Sequence, residues 1–490
     1  GLIGGNVANA GALVVNRSDN ITYSGNVTGT GTSTKLGSGT LSLTGNVTQS
    51  GGAVIGAGTL SIGDGNTTGS ITGNVTDHAT LAFNRSDAVT YPGIVSGSGQ
   101  FRKDGTGTLT FTAANTYAGN TTITGGILRV GVANALPITT LIALASGTTL
   151  DVDFNQTIAG FFGVNSAGST LDLANGVTFT VAMPVANTTT TFAGSVVGGG
   201  SFAVSGAGGD VVNLTGSVTN TGGTLVGTGA TLVIAGGSVT GPITTQGTLG
   251  FGNPGSQTLG NVISGPGGVS VSAGTTTLTG NNNYTGTTDV TGGKLVITGA
   301  NTGGGIITVG SGGTFGGTGS TTGPLVLNPG GTVSPGASPG ILSVGATTFA
   351  GAANFTFEIN NTVGTAGTQW DLLSISGALN ITASAGTPFV INLTSLDLVN
   401  TAGLLTNFNN TNSYSWLFVT TTTGITGFSA GAFKYNASAF QNSLGLGHFF
   451  VSNVGNDLFV NFTPVPEPST YALLALGLGV IVVLSRHRRS

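Results

Sequence analysis

The best local cluster of reactive groups is Asp151-Val152-Asp153, followed 19 residues after Asp153 by Asp172. Side chains alternate along a strand, so Asp151 and Asp153 fall on one face, and Asp172 can join them from a neighbouring strand. Three carboxylates together would suit a calcium ion, and two of them with a base would suit glycan cleavage. The surroundings argue against chemistry. The nearest basic residue in sequence is Arg129, no His lies between His78 and His448, and Cys is absent, so neither a zinc site nor a thiol nucleophile can be assembled. Asp151, Asp153 and Asp172 are therefore weak metal candidates, and no catalytic residue and no cofactor is expected.

The second constellation is the tail. Val465-Pro466-Glu467-Pro468 leads into an uncharged apolar run from Tyr471 to Leu484, closed by Arg486, Arg488 and Arg489. Prolines lack an amide donor and keep the approach extended, so a helix can begin only after them. From Pro468 to Ser485 there is no charge, which as a helix gives roughly 27 Å, enough to cross most of a hydrocarbon core of about 30 Å. Arginines stay cytoplasmic, which places everything before Val465 on the other side of the inner membrane. A buried core helix is the alternative, but it would not need a basic knot behind it. Pro-Glu-Pro, a short membrane helix and a terminal Arg cluster in that order closely resemble the PEP-CTERM sorting signal of Gram-negative bacteria. That resemblance implies that an exosortase-type membrane protease recognises Pro466, Glu467 and Pro468, while Arg486, Arg488 and Arg489 hold the tail in the membrane until it acts.

Composition sets what those residues are mounted on. Charged residues are 5% of the chain, Gly numbers 90 and hydrophobic residues are 38%. Abundant Thr and Val fit a pleated, half-buried surface, so the chain is expected to be β throughout. Nucleic acid is excluded as a partner, because between Arg129 and Lys434 the only basic residue is Lys294. With no Cys, stability outside the cell must come from stacked strands. The sequence starts at Gly1 inside a repeat, so an export signal is expected upstream.

Internal repetition supplies the architecture. Gly5-Asn6-Val7, Asn16-Arg17-Ser18-Asp19 and Tyr23 recur as Gly73-Asn74-Val75, Asn84-Arg85-Ser86-Asp87 and Tyr91, an offset of 68 that carries Lys35 onto Lys103 and Leu41 onto Leu109. Segments such as Thr40-Leu41-Ser42-Leu43, Thr59-Leu60-Ser61-Ile62 and Thr80-Leu81-Ala82-Phe83 alternate large apolar with small residues between Gly-rich turns. They predict short strands with Leu41, Leu60, Leu81 and Leu109 facing a core. Asn115-Thr116-Tyr117-Ala118-Gly119-Asn120-Thr121 and Gly125-Gly126-Ile127-Leu128-Arg129-Val130 return, more loosely, at Asn283-Tyr284-Thr285-Gly286-Thr287 and Gly292-Gly293-Lys294-Leu295-Val296-Ile297. This pattern resembles the autotransporter-associated β-strand repeat of exported bacterial passenger domains, and implies a right-handed parallel β-helix. Such coils stack like on like, Leu and Val inside, Thr and Asn outside. The Asn-x-Ser/Thr triplets at Asn26, Asn46, Asn74 and Asn120 are then ladder positions rather than glycan acceptors.

The expected organisation is a solenoid over residues 1–330, a Pro/Gly-rich boundary over 331–343, a β-rich capping region over 344–464 holding Trp370 and Trp416, and the sorting signal over 465–490 with one transmembrane helix. An autotransporter would end in an outer-membrane barrel with a terminal aromatic. This sequence ends in the basic tail, so sorting by the tail is expected instead. The function expected is that of an exported, non-enzymatic cell-surface or extracellular-matrix protein. It would be tethered transiently to the inner membrane, processed by an exosortase, and adhesive or associated with exopolysaccharide. A polysaccharide lyase or hydrolase on the same scaffold is the alternative.

Overall fold

The computed structural model describes residues 4–163 and 166–465, together with Leu476 and Leu478. The fold is an all-β parallel β-solenoid of about 17 turns in all, with essentially no helix. Among the described residues no helix is long and apolar enough to cross a membrane. The run Tyr471–Leu484, for which a crossing is expected, lies outside the described residues apart from Leu476 and Leu478. Two compact units divide the chain, 1–270 and 271–490.

In the first unit the repeat spacing becomes geometry. Ile21, Leu41, Leu60, Leu81, Phe101, Thr121, Ile142 and Phe161 are successive register partners in parallel strands. One coil thus returns to the same place about every 20 residues, stacked at about 4.8 Å. Leu41, Leu60, Leu81 and Leu109 are all buried, as the alternation predicts. Each such side chain stabilises the coil by roughly 1.5–3 kcal/mol. Aromatic residues pack at a tilt within the same core: Phe83 lies 5.3 Å from Tyr91, and Phe101 lies 4.8 Å from Phe111. The outward positions of the same strands are hydroxyls, such as the column Thr40, Thr59 and Thr80.

Coil corners must satisfy backbone groups that strands leave unpaired, and Asn side chains do so. Asn6 Oδ1 accepts the amide of Asn26, and Asn26 Oδ1 accepts that of Asn46, at 2.9 and 2.8 Å. Asn74 Oδ1 accepts the amide of Ile94 at 2.9 Å, and Asn115 Oδ1 that of Val95 at 2.7 Å.

The second unit is built alike. Leu295, Phe315, Val333, Phe355, Ile391 and Tyr435 are successive parallel partners. The register therefore runs through the proline-rich stretch, where Thr332–Pro335 is itself a strand. Pro335 ends that strand, so its missing donor costs little ladder. Parallel coils continue to Phe433–Ala439. Tyr414–Thr421, Asp457–Thr463 and His448–Val454 form an antiparallel ladder with Asp457–Thr463 in the centre, and isolated antiparallel bridges such as Ile359 with Trp370 occur elsewhere. Trp416 is buried there, and its indole N–H donates to Thr362 O at 3.4 Å.

Candidate functional site

The carboxylates singled out from sequence do meet on one sheet. Asp151 and Asp172 are register partners on adjacent strands, and Asp153 follows just past the end of Thr149–Val152. The neighbour on the other side is Arg129, the register partner of Asp151. Its guanidinium donates to Asp151 Oδ2 from Nε at 2.7 Å and approaches it from Nη2 at 2.6 Å, while Nε lies 3.5 Å from Asp153 Oδ2. Sequence reasoning treated Arg129 as distant, yet 22 residues is about one coil. Asp172 has its pKa raised, first by partial burial and then by Asp151 and Asp153. The hydrogen bond that Arg129 donates to Asp151, with the charge of that carboxylate, raises Arg129 in turn.

Arg129, Asp151 and Asp172 thus form one row across three strands, with the guanidinium on Asp151 Oδ2 and beside Asp153 Oδ2. Among the described residues no group of three or more His, Cys, Asp or Glu is arranged to hold a metal ion.

Several other ionisable side chains fasten the coils. Asp77, fully buried, accepts the amides of Ala79 at 2.9 Å and Leu81 at 3.2 Å, and burial pushes its carboxyl up to about 6. Asp210 accepts Thr188 N and Ala207 N, at 2.9 and 2.7 Å. Asp371 accepts Gly340 N and Glu358 N, at 3.0 and 2.9 Å, and burial holds its carboxyl well above the usual range. Two lysines point inward. Lys35 Nζ donates to Leu36 O, Gly37 O and Ala57 O at 2.9, 2.8 and 3.2 Å, and Lys103 Nζ donates to Gly105 O and to Gly125 O, the latter at 3.0 Å. Each lysine reaches the carbonyls two and 22 residues ahead, so the 68-residue offset repeats a fastening as well as a sequence.

A cavity of about 450 Å³ opens where Ala12–Asn16 and Ile21–Tyr23 form sheet edges, lined by half-buried Leu13 and by core side chains such as Leu41, Leu43 and Leu60. Its polar lining includes Arg17 and Lys35, engaged by Asp19 and by backbone carbonyls, and Tyr23 and Ser33, whose hydroxyls donate to Gly5 O and Gln49 Oε1.

The sorting residues Pro466, Glu467, Pro468, Arg486, Arg488 and Arg489 lie outside the described residues. What leads to them is well anchored. Thr463 pairs with His448, and Phe462 packs among Phe408, Tyr414 and Phe449 at centroid distances of 5.1, 6.4 and 5.3 Å. Pro466 therefore comes three residues after a strand held on both sides.

Comparison with known proteins agrees with both sequence patterns. Residues 34–62, 101–130 and 271–297 match the passenger-associated-transport-repeat. Residues 464–489 match the PEP-CTERM protein-sorting motif. A stretch of 160 residues is 33% identical to the Adhesin BmaC autotransporter of Brucella suis biovar 1 (strain 1330). That match covers 32% of this chain and 5% of the relative, so the chain spans a small part of the protein it resembles.

Proposed function

We propose that this chain is an exported, non-enzymatic surface or matrix protein, delivered through its C-terminal tail and released from it by an exosortase. The observation that carries the reading is the sorting-motif match at 464–489, placed directly after an anchored strand on a β-solenoid body. Similarity to an adhesin over 160 residues supports an adhesive role. Outer faces of hydroxyls and amides, in a chain with 5% charged residues, suit contact with neutral exopolysaccharide. The coils are taken as right-handed, residues 1–330 as the repeat body and 344–464 as its cap.

In the precursor two forces would stop transfer at the tail. The apolar run Tyr471–Leu484 partitions into lipid, and pulling Arg486, Arg488 and Arg489 through the bilayer costs roughly 2.5–3.5 kcal/mol each on an insertion scale. Pro466-Glu467-Pro468 then sits at the interface, open to a membrane protease, and cleavage turns a tether into release. Mass spectrometry of the surface fraction decides the matter. The mature protein should lack residues after about Pro468, and Glu467→Ala should leave the precursor unprocessed. Intact Arg486–Ser490 peptides on mature protein would show a permanent anchor instead. Purified body incubated with acidic and neutral polysaccharides should release no product. Turnover lost on Asp151→Ala would favour the lyase or hydrolase reading.

A further inference from the structure

The strand that leads to the tail emerges through a particular surface. Asn442 grips Leu405 twice: its Oδ1 accepts the Leu405 amide at 2.6 Å and its Nδ2 donates to Leu405 O at 3.1 Å. Loops 404–413 and 441–447 are thereby held together. They border the chain exit, because Gly447 lies against the Phe462 ring and Thr463 O, so closely that a Cβ there would come within 2.2 Å of the ring and 2.9 Å of the oxygen. Next to Gly447, Leu446 is 59% exposed; Leu404 is 63% exposed, and Val465, on the exit itself, 40%.

Charge is sparse around this surface, where Asp397 lies against Gly403 beside Leu404. Residues 398–433 and 435–456 contain no Asp, Glu, Lys or Arg, and His448 is their single His. The tether is also short. Seven residues, 464–470, separate Thr463 from the apolar run at Tyr471, and however they are arranged they span at most about 25 Å. A body tied that closely to a bilayer must hold this end near it.

We propose that the exit face formed by loops 404–413 and 441–447 docks on the lipid surface while the tail is in the membrane, with Leu404 and Leu446 entering the interface. The inference rests on the membrane reading of the tail and adds a second contact to it. Leu404 and Leu446 gain an apolar medium on docking, while the Asn, Ser and Thr side chains around them stay hydrated at headgroup level. Docking fixes the height of Pro466-Glu467-Pro468 above the bilayer, which a tether alone leaves free.

The chain has no Cys, so each single-cysteine variant carries one thiol. Full-length Leu404→Cys, Leu446→Cys, Ile306→Cys and Leu478→Cys proteins, labelled with a nitrobenzoxadiazole dye, would be reconstituted in phosphatidylcholine vesicles containing doxyl-lipid quencher. Ile306, 47% exposed on a parallel coil, is the control away from the exit, and Leu478 reports tail insertion. Expected is strong quenching at 478 and several-fold more quenching at 404 and 446 than at 306. Quenching at 478 with 404 and 446 no higher than 306 overturns docking and leaves the tail reading standing. No quenching at 478 overturns the tail reading, and docking falls with it.

Discussion

Replacing Lys103 with Met tests whether buried lysines fasten the coils. Lys103 occupies an inward column between Phe83 and Ile123, is 1% exposed, and spends its ammonium on Gly105 O and Gly125 O. Burial lowers its pKa to about 8, with Asp104 opposing weakly. In the unfolded chain the value is about 10.4, so between roughly pH 8 and pH 10 the unfolded state binds more protons and stability rises with pH. The slope reaches about 1.4 kcal/mol per pH unit and totals about 3 kcal/mol. A neutral amine keeps two N–H groups, enough for both carbonyls. Lys103→Met removes the charge penalty but orphans two carbonyls, at about 1–3 kcal/mol each, so its effect at pH 7 is a small difference of large terms. Its slope is the diagnostic. Urea denaturation followed by circular dichroism at pH 7.5, 8.5 and 9.5 should show wild type gaining roughly 2 kcal/mol more than the variant. Buried Tyr91, Tyr117 and Tyr284 have raised pKa values and act with the opposite sign above pH 10, hence the upper limit. Parallel pH profiles for the two proteins would refute the argument.

Other consequences are open to the same methods. Asn26→Ala strips the acceptor from the Asn46 amide and should cost about 1 kcal/mol in urea denaturation. At Gly105 an added Cβ would lie 2.1 Å from Arg85 O, whereas Gly147 has nothing within 4 Å and only a positive φ of 76°; Gly105→Ala should therefore cost more than about 3 kcal/mol and Gly147→Ala about 1 kcal/mol. Arg129→Gln leaves Asp151 and Asp153 without their cation, and urea denaturation should show a small loss of stability. Because Arg129 is 43% exposed, solvent screening limits the stability loss to about 1 kcal/mol or less.

Leu41, Leu60, Leu81 and Leu109 were readable because large apolar residues on a period of two can face only one way. The repeats and the sorting motif were readable because they are local strings. Lys35 and Lys103 were matched in sequence but their inward direction was hidden, since a lysine inside a core makes sense only once the carbonyls of the next coil surround its ammonium. The Arg129 and Asp151 pair was hidden by the coil period, which varies: Leu150 to Leu171 is 21 residues, Leu171 to Val196 is 25. Prolines at 329–339 read as an interruption because each removes a donor, but a strand can end on one, as Thr332–Pro335 does.

The Asn ladder has an implication for how such a body changes over generations. Asn6 and Asn26 each accept the amide one coil on, at a step of 20 residues, and Asn46 accepts the Ser70 hydroxyl, 24 residues on. Excising residues 27–46 would bring Val47 to the place of Val27, its own register partner, and leave Asn26 facing the next strand's start as before. Gain or loss of a whole coil therefore keeps the strand register of its neighbours, whereas gain or loss of one residue turns a strand inside out. Replication slippage across these repeats would alter the body's length in steps of one rung, about 4.8 Å.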